Sequence, residues 1–131
     1  MKEQLILFGT AKLAKEKRFD CKVGNFFKLT TISHPLIEDT CLLQNINSLS
    51  DVPLFSRPTQ SLLQKWLREV HNIDVSVNPI NDCTVYKDGI KKYCWDIYNT
   101  EFEGIDADTL IMYLKYEEAL EVGLQEALKL I

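Results

Sequence analysis

The chain has 131 residues, about the length of one ordinary domain, and we predict that residues 1–131 form a single domain. Its 46% hydrophobic and 26% charged residues are typical of a folded globular protein and argue against disorder. No apolar run approaches the roughly 18 residues of a membrane span, and the run Leu5 to Phe8 is too short for a signal peptide. We therefore expect a cytoplasmic protein that does not bind a membrane.

The net charge of −4 is unevenly distributed along the chain. Residues 1–58 carry eight Lys/Arg and six Asp/Glu, a balance of +2, whereas residues 59–131 carry seven and thirteen, a balance of −6. An acidic half is a poor surface for a polyanion, so a nucleic-acid partner is not expected there.

The N-terminal part, residues 1–57, is predicted to hold a helix followed by a β or irregular segment. Helix-spaced apolar residues predict a helix over Leu7 to Arg18, although Glu3 to Phe8 could instead be a short strand. Val23 to Ile32 and Leu36 to Leu43 are predicted as two strands of a loose hairpin.

A polar stretch, Gln44 to Asp51, then predicts a surface segment, and Val52 to Phe55 a short extended piece. The next secure element is a helix over Pro58 to His71, with Thr59 as N-cap and Ser56 as the alternative. Its predicted buried stripe consists of Leu62, Leu63, Trp66, Leu67 and Val70.

Alternation predicts a half-buried strand over Ile73 to Pro79. Asp88-Gly89 indicates a turn between two further strands, Cys83–Lys87 and Ile90–Thr100. We interpret Glu101 to Asp108 as an acidic loop. Thr109 to Leu114 could be a strand or a first helical turn, and we favour the strand.

The last helix, Tyr116 to Ile131, is the clearest in the chain, with one apolar stripe, Glu117 and Glu118 in its first turn and Lys129 in its last. Gly123 lies inside it, and a mid-helix Gly costs about 1 kcal/mol against Ala. We therefore predict a close approach at Gly123, with Trp66 as the leading neighbour.

These elements predict an α+β fold. Residues 58–131 form an α-β-β-β-α core in which a small antiparallel sheet carries both helices on one face. The N-terminal helix and the β or irregular segment precede this core. The second face of the sheet, which carries Cys94, Asp96 and Tyr98, is predicted to be covered by the N-terminal half or by a partner chain.

Three stretches of sequence carry a resemblance: PTQSLLQKWLREVHNI at Pro58–Ile73, YEEALEVGLQEALKLI at Tyr116–Ile131, and TAKLAKEKRFD at Thr10–Asp20. Together they cover about a third of the chain. In this order they resemble a group of small, uncharacterised proteins encoded in prophages and mobile elements of gut anaerobic bacteria. The resemblance implies a phage-related protein without an assigned activity. Arg18 stands where such sequences are expected to have Gly, which bears on how the first helix ends.

The α-β-β-β-α order of residues 58–131 is also similar in topology to double-stranded-RNA-binding domains. Those domains present basic residues at the start of the final helix to hold phosphates. Here that position holds Tyr116, Glu117 and Glu118, which would repel a phosphate. The similarity of topology therefore does not carry the RNA-binding function.

The sequence contains no catalytic motif, so we expect neither enzyme activity nor a cofactor. The two histidines, His34 and His71, lie in no recognisable catalytic pattern. The four cysteines form no CxxC pair and are interpreted as small buried residues. The acidic group formed by Glu101, Glu103, Asp106 and Asp108 does not have the spacing of a calcium loop, so no metal site is predicted.

One set of side chains remains as a candidate interaction surface, the basic residues in and after the first helix: Lys12, Lys15, Lys17, Arg18 and Lys22. Clustered lysines on a helix are usually its solvated face, although phosphate contact is the alternative. We therefore predict a non-catalytic protein-interaction or adaptor module, whose partner is another protein or a second copy of the chain. The alternative is a nucleic-acid-associated protein that uses the lysine-rich first helix.

Overall fold

Three α-helices and two three-stranded antiparallel sheets make up the described part of the chain in a computed structural model. The structure describes residues 3–29, 35–48, 54–80, 92–99, 102–106 and 112–131, with backbone only at 40–42 and 102–106. In chain order the elements are α1 (Phe8–Glu16), β1 (Val23–Lys28), β2 (Leu36–Gln44), a 3₁₀ turn (Ile46–Ser48), β3 (Leu54–Ser56), α2 (Gln60–His71), β4 (Ile73–Pro79), β5 (Tyr93–Asn99), β6 (Phe102–Asp106) and α3 (Tyr116–Lys129).

The N-terminal sheet has the strand order β2-β1-β3. Phe27 at its centre pairs with Ile37 on β2 and with Phe55 on β3, so the predicted antiparallel pairing of the first two strands is confirmed. The β1–β2 register shifts between Val23, which pairs with Gln44, and Asn25, which pairs with Asp39. An advance of two residues along β1 thus corresponds to five residues along β2, which is an irregularity of the bulge type. The regular pairing with β1 covers residues 36–39 of β2.

Helix α1 covers β1 and β3 of this sheet. The Phe8 ring meets the rings of Phe27 and Phe55 edge-on, each with a centroid distance of 5.3 Å. Before the helix, Leu5 forms a single β-bridge with Thr59. The predicted helix is therefore present but shorter, and the predicted alternative of a strand over Glu3 to Phe8 is reduced to one bridge.

The predicted α-β-β-β-α core is confirmed for α2 to α3. Strands β4, β5 and β6 form an antiparallel meander, and both helices pack on it. Thr59 caps α2 as predicted, because its Oγ1 accepts a hydrogen bond from the Leu62 N–H at 3.2 Å. The hydrophobic core is continuous with the N-terminal part, since buried residues of both lie in one cluster: Ile6, Ala11, Phe19, Val23, Phe27, Leu63, Val75, Ile97, Leu124 and Leu128, among others.

Several predicted boundaries are wrong. Phe102–Asp106 is a strand, not an acidic loop, because its backbone satisfies the second edge of β5 through pairs such as Ile97 with Ile105. Of the predicted strand Thr109–Leu114, the described part holds a single bridge, between Tyr113 and Tyr93. The segment Cys83–Lys87 and the Asp88-Gly89 turn lie outside the described residues.

Two burial predictions also fail. Val70 belongs to the predicted buried stripe of α2 but is 60% exposed, and it lies in the last turn of the helix, which ends at His71. The predicted surface segment Gln44–Asp51 buries Ile46, which lies in the 3₁₀ turn and packs into the core cluster. A single apolar residue in a polar stretch has no periodicity, so sequence patterns give no signal for its burial.

The predicted close approach at Gly123 is confirmed, but its neighbours are not the predicted Trp66. A Cβ added at Gly123 would lie 2.9 Å from Val75 Cγ1 and 3.0 Å from Trp95 Cβ. Trp66 packs elsewhere, edge-on to Phe19, and donates its Nε1–H to Asp20 Oδ1 at 3.1 Å. The glycine therefore lets α3 lie directly on the sheet.

We expect Gly123→Ala to lower the free energy of unfolding by about 1–2 kcal/mol, because overpacking outweighs the gain of about 1 kcal/mol in helix propensity. Gly9→Ala is the matched control in α1. Its Cβ would meet only Gln125 Nε2 at 3.8 Å, so the substitution should raise stability by about 0.5–1 kcal/mol. Urea unfolding measures both changes, and a stabilising Gly123→Ala would contradict the close approach.

Candidate interaction surface

The predicted basic surface, Lys12, Lys15, Lys17, Arg18 and Lys22, is partly used by the fold itself. The Lys15 ammonium donates to the Leu54 backbone oxygen at 2.6 Å and lies 4.8 Å from the centre of the Phe55 ring. The Lys17 ammonium donates to the backbone oxygen of Ile131. These two cations hold α1 against β3 and against the end of α3, so they are not available to a partner without breaking those contacts.

The other three basic residues are exposed. Lys12 lies on the outer side of α1 with its ammonium 5.7 Å from the Phe8 ring centre. Arg18 and Lys22 follow the helix, where the chain turns toward β1. The structure thus leaves three cations of the predicted five on the surface.

Arg18 adopts a left-handed backbone conformation with φ of 63°. The Phe19 N–H donates to the Ala14 oxygen and the Arg18 N–H to the Lys15 oxygen, both at 3.0 Å. This pair of bonds is a Schellman motif, which favours Gly at the left-handed position. The position at which the sequence resemblance led us to expect Gly is therefore one where a side chain is strained.

A cleft of about 270 Å³ brings Lys15 and Arg18 together with the polar side chains of Asn45, Asn47 and Ser48. Asn47 is committed to the fold, because its Nδ2 donates to the Phe19 oxygen at 3.0 Å and its Oδ1 accepts from the Ser56 N–H at 2.8 Å. Since Lys15 is committed as well, the cleft offers few free donors for an anionic ligand.

The most elaborate polar cluster surrounds Glu121, which sequence patterns placed in an amphipathic helix without a role. Glu121 is only 5% exposed. Its Oε1 accepts from the Leu7 N–H and from the Thr10 hydroxyl, both at 2.6 Å, and its Oε2 accepts from Gln60 Nε2 at 2.9 Å. Gln125 Nε2 extends the cluster by donating to Thr10 Oγ1 at 2.9 Å.

This cluster is explained by helix capping. Leu7 is the N-cap residue of α1 and has no side chain that could cap, and the first turn of α1 has no acidic residue. The carboxylate of Glu121 satisfies the Leu7 N–H and places a negative charge at the positive end of the helix dipole. Gln60, the first residue of α2, meets the same carboxylate, so one side chain of α3 joins the starts of both other helices.

Two open clefts of about 370 and 220 Å³ adjoin this cluster and share Gln4, Gln60 and Glu117 in their walls. Their charged lining is mainly acidic, with Lys115 as the one cation among the lining residues. The polar groups at their base, those of Gln60 and Glu121, already have hydrogen-bond partners. Gln60 and Glu121 are therefore committed to contacts within the fold, and in the smaller cleft the Ser61 hydroxyl donates to Glu3 Oε1 at 3.0 Å.

Strand β2 forms an exposed edge of the N-terminal sheet in the part of the chain that the structure describes. Three of its large apolar side chains are exposed to solvent: Leu36 is 50%, Ile37 58% and Leu43 68% exposed. Ile37 lies on the face that α1 covers at Phe27 and Phe55, so the helix leaves the β2 side of that face open. An apolar, unpaired strand edge is a template for another strand.

The edge of β4 in the other sheet is protected by contrast. Gln64 of α2 donates its Nε2–H to the Val75 backbone oxygen, which removes an edge acceptor. Pro79 at the end of the strand has no N–H to offer. Arg68 lies 3.6 Å from the Asp74 carboxylate at the start of the strand.

The second face of the C-terminal sheet, which carries Cys94, Asp96 and Tyr98, is not buried under the N-terminal half. Tyr98 is exposed, and Asn78 Nδ2 donates to Asp96 Oδ2 at 2.7 Å on this face. The described side chains of this face, which belong to β4 and β5, include no exposed aliphatic group of the kind found on β2.

Cys21 and His71 are each partly buried within the fold. Burial, followed by the carboxylates of Asp20 and Glu69, raises the pKa of the Cys21 thiol, so this thiol is protonated at neutral pH and a poor nucleophile. The His71 ring packs edge-on against Trp66, with a centroid distance of 4.6 Å. His34 and the side chains of Cys41, Cys83 and the acidic group at 101–108 lie outside the described part.

Within the described ranges, His, Cys, Asp and Glu side chains nowhere gather in a group of three or more that could hold a metal ion. None of the helices described is both long enough and apolar enough to cross a bilayer. We found no significant match to a protein-family model, to a curated protein or to a solved structure.

We expect Glu121→Ala to lower the free energy of unfolding by about 3 kcal/mol, because it leaves the Leu7 N–H, the Thr10 hydroxyl and the Gln60 amide without their acceptor. Glu121→Gln keeps the shape but loses the charge and one acceptor, so it should cost about 1–2 kcal/mol. Glu118→Gln, an exposed change one turn earlier, should stay within about 0.5 kcal/mol of the wild type. Equal urea unfolding of the two glutamine variants would exclude the capping role.

The left-handed conformation of Arg18 at the end of α1 is costly for a residue with a side chain. Arg18→Gly should raise the free energy of unfolding by about 0.5–1 kcal/mol, because glycine adopts the left-handed conformation without steric cost. Lys12→Gly, an exposed change inside α1, should lower it by about 1 kcal/mol. Thermal unfolding with calorimetry compares the two, and a loss of stability in Arg18→Gly would show that the arginine side chain makes a stabilising contact.

Proposed function

We propose that the chain is a non-catalytic protein-interaction module of a phage or mobile element, and that it binds another protein at the edge of β2. The observation that carries this proposal is the apolar character of an exposed strand edge, with Leu36, Ile37 and Leu43 in solvent. Surfaces of this kind bind extended segments by strand addition, in which backbone hydrogen bonds give affinity and side-chain contacts give specificity.

The backbone of β2 has hydrogen-bonding groups directed outward. The Asn25 oxygen accepts from the Arg57 N–H beyond β3, so the backbone groups of Asn25 and Phe27 point toward β3. Because successive residues of a strand direct these groups to opposite sides, the groups of Phe26 point toward β2 and bond Glu38. The N–H and C=O groups of Ile37 and Asp39 are therefore directed away from the sheet, toward an added strand.

A strand added here would find apolar contacts above and below the sheet. Leu36 and Ile37 are adjacent in sequence, so their side chains lie on opposite faces of β2. Each is at least half exposed. A partner strand would cover both side chains, and on the Ile37 side it would extend the apolar face that Phe8, Phe27 and Phe55 already form.

Protein interaction is favoured over the nucleic-acid alternative at the first helix. Two of the five basic side chains in that surface, Lys15 and Lys17, are committed to backbone oxygens of β3 and of the C-terminal end. The rest of the chain does not add to this positive charge, since residues 59–131 carry a net charge of −6. A polyanion would gain little from such a surface.

Ile37→Lys is the variant that tests the proposal, because a charge on an edge strand prevents strand addition while it leaves the core untouched. Val70→Lys is the matched control, since Val70 is exposed to a similar extent (60% against 58%) but lies on a helix. Both variants should unfold like the wild type.

The expected result is that a protein captured by the wild-type chain from cells that express it naturally is also captured by Val70→Lys and lost by Ile37→Lys. With that protein purified, Ile37→Lys should weaken binding at least about tenfold, and hydrogen exchange at the Ile37 and Asp39 amides should slow in the complex. Equal binding by the two variants, or unchanged exchange at these amides, would overturn the proposal.

A further inference from the structure

The regular part of β2 has an ordered charge pattern. Two apolar residues, Leu36 and Ile37, are followed by two acidic ones, Glu38 and Asp39. The whole strand Leu36–Gln44 contains no Lys, Arg or His. The nearest paired cation, Lys28, lies opposite Leu36 on β1, which is the inner side of the strand.

This pattern disfavours a second copy of the chain as the occupant. In antiparallel self-pairing, the outward-directed backbone groups of Ile37 and Asp39 in one copy must bond those of Ile37 or Asp39 in the other copy. Pairing Ile37 with Asp39 places Glu38 opposite Glu38, and pairing Asp39 with Asp39 also opposes like charges, which is destabilising. Pairing Ile37 with Ile37 places Pro35, which has no N–H, opposite Asp39 and loses a hydrogen bond.

We propose that the occupant is an extended segment of another protein in which two basic residues are followed by two apolar residues. Such a segment, added antiparallel to β2, places its cations opposite Glu38 and Asp39 and its apolar residues opposite Leu36 and Ile37. The antiparallel direction follows that of β1, which pairs antiparallel with β2 on the other side, and antiparallel ladders are the more stable kind. This inference rests on the proposed function, since it names the partner of the same edge.

The two faces of the added strand share the recognition. Ile37 and Asp39 lie on one face of β2, and Leu36 and Glu38 on the other. On each face the partner meets one apolar and one acidic residue. A partner strand that alternates apolar and basic residues would place one matched and one mismatched residue on each face, so the order of residues, and not only the positive charge, determines binding.

Fluorescently labelled ten-residue peptides test this inference by anisotropy. Each has threonine and serine flanks and one central tetrad: two lysines then two valines, two valines then two lysines, or two glutamates then two valines. We expect the first to bind about tenfold more tightly than the other two, from two exposed ion pairs gained or lost. The first peptide with N-methylated central amides should not bind, because it cannot form the ladder.

Charge-reversal variants of the chain provide the matched comparison. Asp39→Lys should weaken the lysine-first peptide about tenfold, whereas Glu118→Lys, the same charge change at an exposed site on α3, should weaken it less than about twofold. Equal losses in the two variants would show only long-range attraction and would overturn the inference.

The remaining outcomes separate this inference from the proposed function. If all peptides bind equally and Ile37→Lys abolishes their binding, strand addition stands and the basic–apolar order is overturned. If no peptide binds at about 1 mM while the captured protein still requires Ile37, the basic–apolar order is overturned and strand addition at β2 stands. Sedimentation that shows a dimer dissociated by Ile37→Lys would identify a second copy as the occupant and overturn it.

Discussion

The fold depends on one buried carboxylate. Glu121 of α3 accepts hydrogen bonds from the first turn of α1 and from the first residue of α2, at distances of 2.6 to 2.9 Å. All three donors are neutral, and the charge is stabilised by them and by the positive end of α1. Because Leu7 cannot cap its own helix, α1 is held in place from a helix more than one hundred residues away in sequence. The N-terminal and C-terminal parts of the chain are thereby joined at a polar centre as well as through the core.

The placement of α1 determines which strand remains open. The helix begins at the Glu121 carboxylate and is fixed at its other end by the Lys17 contact to Ile131 and by the Lys15 contact to Leu54. These anchors set α1 over β1 and β3, where Phe8 meets Phe27 and Phe55. A single helix of nine residues cannot also cover β2. The exposure of Ile37 is therefore a consequence of the same contacts that hold the N-terminal helix.

Sequence periodicity predicted the elements whose apolar residues repeat at regular spacing: both C-terminal helices, the strand Ile73–Pro79 and the first hairpin. Periodicity could not predict features that depend on contacts between residues far apart in the sequence. Glu121 has the same local pattern as the solvated Glu117 and Glu118, and only the arrival of Leu7 and Gln60 makes it a cap. Gly123 correctly indicates a close contact, but sequence spacing could not identify its neighbours. Val75 and Trp95 lie next to it because strands β4 and β5 pair. The candidate edge at β2 is predicted as a strand, but its position at the side of the sheet depends on the pairing of β3 with β1. The sequence predicts β3 only as a short extended piece, Val52 to Phe55, without a partner.

The edge strand β4 is protected and the edge strand β2 is open, and this difference bears on the role of the acidic pair Glu38 and Asp39 in β2. At β4 the edge is closed by a side-chain hydrogen bond from Gln64 and by Pro79. At β2 it is left open, and the only protection in the regular segment is the charge of Glu38 and Asp39. Charged edge residues keep identical strands apart, which is how soluble proteins avoid edge-to-edge aggregation. A foreign strand with opposite charge meets no such barrier. The same two carboxylates that prevent self-pairing thus select for a basic partner, so protection from aggregation and recognition are the two consequences of one feature.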